Sequence, residues 1–454
     1  MSPESDVSVL PAEWRTEGGR VPSAHFVSGS FARAEKEKLW GRVWQYACRV
    51  DEIPARGDFV VYTLVDQEFL VVRVDEATVK VYRNFCPHRG TALGVGDGCF
   101  SGGEIMCPFH GWRWNLKGEN TFILDREGVN GGSYSEDDVK LREVPSALWA
   151  GLVFLNPDPT AAGTFDDFIA PLRAIVEPLE LERMKLVWHK RIRSPANWKA
   201  TLGAFQEGYH TQATHPEMAR VWQKTTGTAK TTQNRAYFAY QNGHGRFRVP
   251  EELGQIKGTV ASGVNVLTGR QALEGMIAEL TVGRRSMECW VGDEDLAVAE
   301  SLRDSVEERH TGAEVGAMFA TALRDHYDRR GRFMAPMDEL SKTISITVFP
   351  NTIFMPLFGN LLMYRCRPIS HDPNESVFEL FSLRTLAEGE AVPAVKVEDI
   401  GPHELPFLFR QDFGNIPRVQ RGLRSDGCLS TLMHTRQEAL ILNLHHEVEK
   451  YLAR

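Results

Sequence analysis

The chain has 454 residues, 42% hydrophobic and 25% charged, which is the composition of ordinary globular domains and enough length for two or three of them. A formal charge of −8 and the lack of basic runs exclude a nucleic-acid binder, and Pro350, Pro356 and Gly359 interrupt the most apolar window, 344–364, so no membrane span is expected either. Seven cysteines, an odd number, follow an N-terminus without a charged and then apolar leader, which points to a reducing, cytoplasmic setting.

Ser30 can cap a helix over 31–44, where Phe31, Ala34, Leu39 and Val43 form an apolar arc. From 57 to 82 the text turns to Val, Tyr and Phe in short runs, a meander of antiparallel strands. Short strands follow at 141–144 and 149–155, and the turn-forming run 156–163 marks a boundary. Beyond it, 165–179 reads as a helix and 185–194 as a strand. Aromatic and polar residues alternate over 228–249, and Leu296, Ala299, Leu302 and Val306 open a helical region over 294–330. Strands return over 344–386, a helix over 405–415 stops before Pro417, and Leu440, Leu444, Val448 and Leu452 share one face of a final helix.

Two groups of residues carry chemistry. The first is Cys86-Pro87-His88-Arg89-Gly90 with Cys107-Pro108-Phe109-His110-Gly111-Trp112, in which each loop gives one thiolate and one imidazole. Structural zinc sites pair like ligands at C-x2-4-C and H-x3-5-H spacing. A mixed pair on each loop instead suits a [2Fe-2S] cluster, with Cys86 and Cys107 on one iron and His88 and His110 on the other. The remaining cysteines 48, 289, 366 and 428 read as buried free thiols, and Cys99 is not needed.

The second group is His210 and His215, with Glu207 three residues before the first and Pro216 after the second. Side chains five apart diverge by about 140° on a regular helix, so one metal can hold both only if the turn is distorted, by a π-bulge or by a helix ending at His215 ahead of Pro216. An electron-relaying cluster needs an acceptor, and a mononuclear Fe(II) held by two His and one carboxylate, with open positions for O2, would be one. Asp412 is the preferred carboxylate, ahead of Asp426 and Asp325.

These residues together resemble the α subunit of Rieske non-haem iron oxygenases, the aromatic-ring-hydroxylating family. The likeness rests on CPHRG and CPFHGW, on Asn197-Trp198-Lys199, on the run from Glu207 to Pro216, on Phe349-Pro350-Asn351 and on Gln411-Asp412 with Val419 to Leu423. It implies an α+β chain: an N-terminal arm (1–44), an antiparallel β Rieske domain (45–156) and a helix-grip-like catalytic domain (157–454), whose antiparallel sheet is flanked by helices and which has a helical insert at about 290–332. It further implies Cys86, His88, Cys107 and His110 on the cluster, His210, His215 and Asp412 on the iron, and Glu207 linking His210 to the Rieske ligand His110 across a subunit interface. The bridging acid is often Asp, and Leu202-Gly203-Ala204-Phe205 stands where the family often has Glu-Asn-Phe. No dinucleotide fingerprint is present, so electrons from NAD(P)H would come through a separate reductase or ferredoxin into a homotrimer, with or without a small β subunit. The expected activity is oxygenation of a hydrophobic, aromatic substrate; mono-oxygenation, dioxygenation and demethylation stay open. The alternative is a Rieske electron carrier with a binding domain and no oxygenase chemistry.

Overall fold

The computed structural model describes residues 10–226, 236–248, 267–287 and 290–454. Cys289 and the parts 228–235 and 249 of the alternating stretch lie outside them. The chain forms two compact units: Lys36–Ala170, and the residues up to Glu35 together with Pro171–Arg454. The arm holds strand β1 (Arg20–Pro22) and helix α1 (Gly29–Ala34). The N-cap is Ser28, not Ser30: its Oγ accepts from the Phe31 amide at 3.3 Å. A π-helical turn, Glu35–Trp40, follows and ends the regular helix well before residue 44.

The Lys36–Ala170 unit is built from short antiparallel strands. β2 (Gln45–Arg49) pairs with β11 (Leu152–Leu155), which pairs with β10 (Ser146–Trp149). β3 (Asp58–Leu64), β4 (Gln67–Arg73), β5 (Val79–Arg83) and β6 (Asp97–Cys99) form a second sheet, in the order 5-4-3-6. β7 (Glu104–Met106), β8 (Arg113–Asn115) and β9 (Asn120–Phe122) form a third. Phe59, Leu70, Val72, Tyr82, Ile105 and Trp114 fill the core between them and seat the two cysteine loops.

The other unit is organised on eight strands among the described residues. β12 (Lys185–Ser194), β13 (Ala236–Ala239), β14 (Gly245–Arg248), β15 (Ser345–Val348), β16 (Thr352–Leu357), β17 (Asn360–Pro368), β18 (Ser376–Arg384) and β19 (Val397–Asp399) stand in the order 13-14-15-16-17-18-12-19. All neighbours are antiparallel except β19, which runs parallel to β12 at the edge. β20 (Ser430–Leu432) pairs with β1.

Helices of this unit include α2 (Trp198–Gly203), α3 (Thr211–Thr214), α4 (Pro216–Thr226), α5 (Gly269–Met287), α6 (Asp293–Ser301), α7 (Gly312–Arg329), α8 (Phe407–Leu423) and α9 (Ala439–Ala453). Alternation along β17 and β18 gives the sheet two different faces. On one, Arg365, Arg367 and His189 surround Glu379; burial pushes this carboxyl up, and the two guanidiniums outweigh it and hold it well below the usual range. On the other, Tyr364 and Phe378 meet Phe205, Phe409 and Phe413. Among the described residues no helix is long and apolar enough to cross a membrane.

Candidate iron–sulfur and mononuclear metal sites

The two cysteine loops have the same backbone design. The Cys86 carbonyl accepts from Gly90 N–H and the Cys86 N–H donates to the Thr91 carbonyl; Cys107 does the same with Gly111 and Trp112. Gly90 and Gly111 sit at φ +77° and +70° with open space where a Cβ would stand, so the turn itself demands glycine. Both thiols are buried and free, while His88 is exposed and His110 half-buried, their rings 4.6 Å apart between centroids. Trp112 stacks flat on His88 at 4.9 Å. Burial pushes the Cys86 thiol up to about 11, helped by neighbouring Cys107, while backbone N–H groups of His88 and Arg89 oppose the shift. Two soft donors inside and two imidazoles outside are the donor set a mixed-ligand [2Fe-2S] cluster takes, and two adjacent buried thiols that do not bond each other fit it.

In the other unit, Asn197 caps α2 through its side-chain oxygen, which accepts from Lys199 N–H at 3.0 Å. Gln420 of α8 accepts from the Asn197 amide and so ties the start of the stretch to α8. After α2 the chain turns through 204–209 into α3, a single turn. His210 is its N-cap and His215 its C-cap, the latter at φ −118°, ψ 68°, outside the helical region as Pro216 requires. The five-residue spacing is thus resolved by placing both histidines at the ends of one turn, without a π-bulge.

The two imidazoles face each other with Nε2 atoms 3.3 Å apart, and Asp412 Oδ1 from α8 lies 3.5 Å from His210 Nε2 and 3.2 Å from His215 Nε2. All three donor atoms fall within 4.8 Å of one another. Each imidazole is fixed from behind. His210 Nδ1–H donates to Glu207 Oε1 at 2.6 Å, and His215 Nδ1–H donates to Gln411 Oε1 at 2.8 Å. Both tautomers therefore turn an Nε2 lone pair toward Asp412. Three lone-pair atoms this close repel unless a cation lies between them. Bonds of about 2.1 Å at about 90–110° separate donor atoms by about 3.0–3.4 Å, so the set fits one divalent metal.

Glu207 Oε2 accepts from the amides of Tyr209 and His210, which folds the longer side chain back onto its own turn. Gln411 Nε2 donates to Glu217 Oε2 at 3.0 Å, which orients the amide and ties α8 to α4. The sequence reading did not assign Gln411 or Glu217 any role; the only signal was an amide directly before Asp412 and an acid two residues past His215. Asp426 and Asp325 do not join the group.

The chain matches the family model for the ring hydroxylating alpha subunit (catalytic domain) over residues 181–454, and the Rieske [2Fe-2S] domain model over 43–126. It belongs to the ring hydroxylating alpha subunit family. This is a family of oxidoreductases, and the [2Fe-2S] cluster and non-haem iron are the cofactors its two domains carry. Among relatives, this alpha subunit is 28% identical to the carnitine monooxygenase oxygenase subunit of Escherichia coli (strain K12) over 201 residues, 44% of this chain and 53% of that one. It is 28% identical to the glycine betaine monooxygenase oxygenase subunit of Pseudomonas aeruginosa (strain UCBPP-PA14) over 203 residues, 44% and 46% of the two chains. It is 26% identical to the terephthalate 1,2-dioxygenase terminal oxygenase component subunit alpha 2 of a Comamonas species, over 43% and 49%. The chain spans about half the length of the curated relatives it matches. The fold is shared with a quaternary ammonium Rieske monooxygenase (TM-score 0.64, 15% identity, 98% and 100% covered) and with naphthalene 1,2-dioxygenase (0.65, 16%, 98% and 94%).

Proposed function

We propose that the chain is the terminal oxygenase component of a multi-component enzyme that oxygenates a small quaternary ammonium compound, with electrons from NAD(P)H delivered by a separate reductase or ferredoxin. The observation that carries the oxygenase reading is the convergence of His210 Nε2, His215 Nε2 and Asp412 Oδ1, each imidazole locked in the metal-binding tautomer. The substrate class rests on the likeness to carnitine and glycine betaine monooxygenases, which supports a cationic head group over the aromatic ring that the family resemblance implies.

His210, His215 and Asp412 would hold the iron, and Cys86, His88, Cys107 and His110 the cluster. When bound, the iron supplies the redox chemistry that activates O2 and the cluster supplies its electrons. The chain's own residues do the rest. Glu207 and Gln411 keep the two imidazoles turned with Nε2 toward Asp412, which would balance part of the metal charge. Phe205, Tyr364, Phe378, Phe409 and Phe413 pack ring to ring against the helix that carries Asp412, and ring faces suit an ammonium cation as well as an apolar body. Glu207 spends three acceptor positions on His210 and the two amides; a carboxylate has about four, so one is left for His110 of a neighbouring subunit in a homotrimer.

The deciding experiment is O2 uptake and product analysis by the metal-loaded protein with a generic reductase and ferredoxin. Carnitine, glycine betaine and γ-butyrobetaine are set against terephthalate and naphthalene. Substrate-dependent uptake with the quaternary compounds is expected. Uptake with the aromatic acids alone would move the substrate to the class of the Comamonas relative. A reducible cluster with no uptake on any of them would return the chain to an electron carrier.

A further inference from the structure

The turn that leads into the first metal histidine lies across the sheet. At one end the Phe205 ring meets Tyr364 of β17 at 5.1 Å between centroids. At the other end the Gly208 N–H donates to Tyr237 Oη of β13 at 3.1 Å. In the strand order, β14, β15 and β16 stand between β13 and β17, a span of about 19 Å at the usual strand spacing. Gln206 and Glu207 therefore pass over these strands, with β15 in the middle.

Register fixes which side chains look toward that turn. Tyr237 pairs with Phe247 and Phe247 with Ser345, while Thr347 pairs with Ile353 and Ile353 with Tyr364. Directly opposed residues share a face, so Ser345 and Thr347 stand on the face of Tyr237 and Tyr364, beneath the turn. They are 2% and 1% exposed, and Gln206 in the turn is 0% exposed. Ser345 Oγ, Thr347 Oγ1 and both amide atoms of Gln206 have no hydrogen-bond partner within the protein. Buried polar atoms are nearly always paired, so three such residues on the two walls of one layer point to a polar guest. Phe205 and Met355, the latter two residues past Ile353 on the same face of β16, are only half-buried, so water reaches into this layer.

We infer that Gln206, Ser345 and Thr347 form the subsite for the carboxylate end of a zwitterionic substrate, on the sheet side of the turn that leads to His210. The inference rests on the quaternary ammonium reading above and deepens it, since carnitine and glycine betaine carry a carboxylate as well as an ammonium. Two hydroxyls and an amide NH2 supply donors for both carboxylate oxygens, and the Gln206 oxygen accepts from a substrate hydroxyl beside them. None of the three side chains is charged, so the zwitterion keeps its own balance. The rings of Phe205 and Tyr364 are left for the ammonium. These residues select the substrate and take no part in the reaction.

The test uses the full metal-loaded chain and two probes, γ-butyrobetaine and butyltrimethylammonium, which differ only in a carboxylate replaced by a methyl group. Titration calorimetry reads affinity, and the thermal midpoint is taken on the same samples. The wild type is expected to bind γ-butyrobetaine at least about tenfold more tightly than the methyl analogue. Ser345→Ala, Thr347→Val and Gln206→Leu are each expected to lose about tenfold for γ-butyrobetaine and to keep their affinity for the analogue. Iron content and thermal midpoint should stay at the wild-type level, because the changes strand no partner inside the protein. Thr347→Val keeps the side-chain shape, so it reports even if Gln206→Leu folds poorly. Equal affinities in the wild type, or a carboxylate preference that survives in all three variants, overturns the subsite. So does a thermal midpoint that falls in Thr347→Val while affinity stays, which would assign the hydroxyl to internal water. O2 uptake separates the two readings. No uptake by wild type with γ-butyrobetaine, carnitine or glycine betaine removes the substrate reading itself. Uptake at unchanged KM in both Ser345→Ala and Thr347→Val overturns the subsite alone.

Discussion

Glu207 and Gln411 show how much a metal site owes to side chains that never touch the metal. Glu207→Gln keeps an oxygen that can accept from His210 Nδ1–H, so the variant should hold iron normally by elemental analysis. It loses the negative charge, and turnover should fall by about 100-fold or more, while single-turnover reduction of the cluster stays fast. Gln411→Ala should do the reverse. It frees His215 Nδ1 and should lower iron retention by about 10–100-fold during dialysis against a chelator, with less effect on turnover once iron is saturating. Either variant behaving like the other would contradict these roles. At this scale much was legible from sequence, because ligands are rare residue types in constrained patterns: paired Cys and His loops, two histidines ahead of a proline, a helical aspartate far downstream. Gln411 was not legible in its role. Its function depends on being turned by Glu217, 194 residues away, and no local pattern encodes that.

Helices and strands were readable where one period dominated and were misread where a breaker residue was tolerated. β12 falls on 185–194 as its pattern suggests. Helix α8 was expected to stop before Pro417 but runs through it to Leu423. Only the hydrogen bond from position 417 to the Phe413 carbonyl is lost, and Leu408, Phe409, Phe413, Ile416 and Leu423 bury enough apolar surface to outweigh it. Helix α5 is hard to read from sequence because Gly275 and Gly283 interrupt its pattern and its buried arc is broad, taking in Gly275 and Ser286 as well as Leu273 and Ile277. That helix has a titration signature. The folded state binds a proton at Glu279 between the ordinary carboxyl value of 4.5 and about 8, where the unfolded chain does not. Stability from this group is full below pH 4.5 and is lost as pH rises through 8. The denaturation midpoint of Glu279→Leu should therefore fall less than that of wild type between pH 5 and 8; parallel curves would place the proton elsewhere.

The two units are joined in an unusual order, since Lys36–Ala170 is inserted between the arm and the rest of its own unit. The arm is fastened by buried polar groups. Lys199 Nζ contacts Glu35 Oε1 at 2.6 Å with both side chains out of solvent, and burial pushes each toward its neutral form. His25 Nε2–H donates to the Trp14 carbonyl, which makes its Nδ1 the acceptor for His445 Nδ1–H on α9. Glu35→Ala should cost about 3–5 kcal/mol in chemical denaturation because it strands Lys199. Replacing both partners by Met should recover most of that loss, and a double variant no better than the single one would show that the pair is not what secures the arm. This stitching was invisible in sequence because each partner is an ordinary residue until the fold brings it across hundreds of positions.

The β1–β20 pairing sets a schedule as well as a structure. The Val21 carbonyl accepts from Thr431 Oγ1 across 410 residues. At about 5–20 residues per second of synthesis, the arm leaves the ribosome roughly 20–80 s before its strand partner exists. During that interval Val21, Phe26 and Phe31 have no finished core to enter. The inserted unit, whose strands pair within 36–170, can close first and sequester its cysteine loops while the arm still waits.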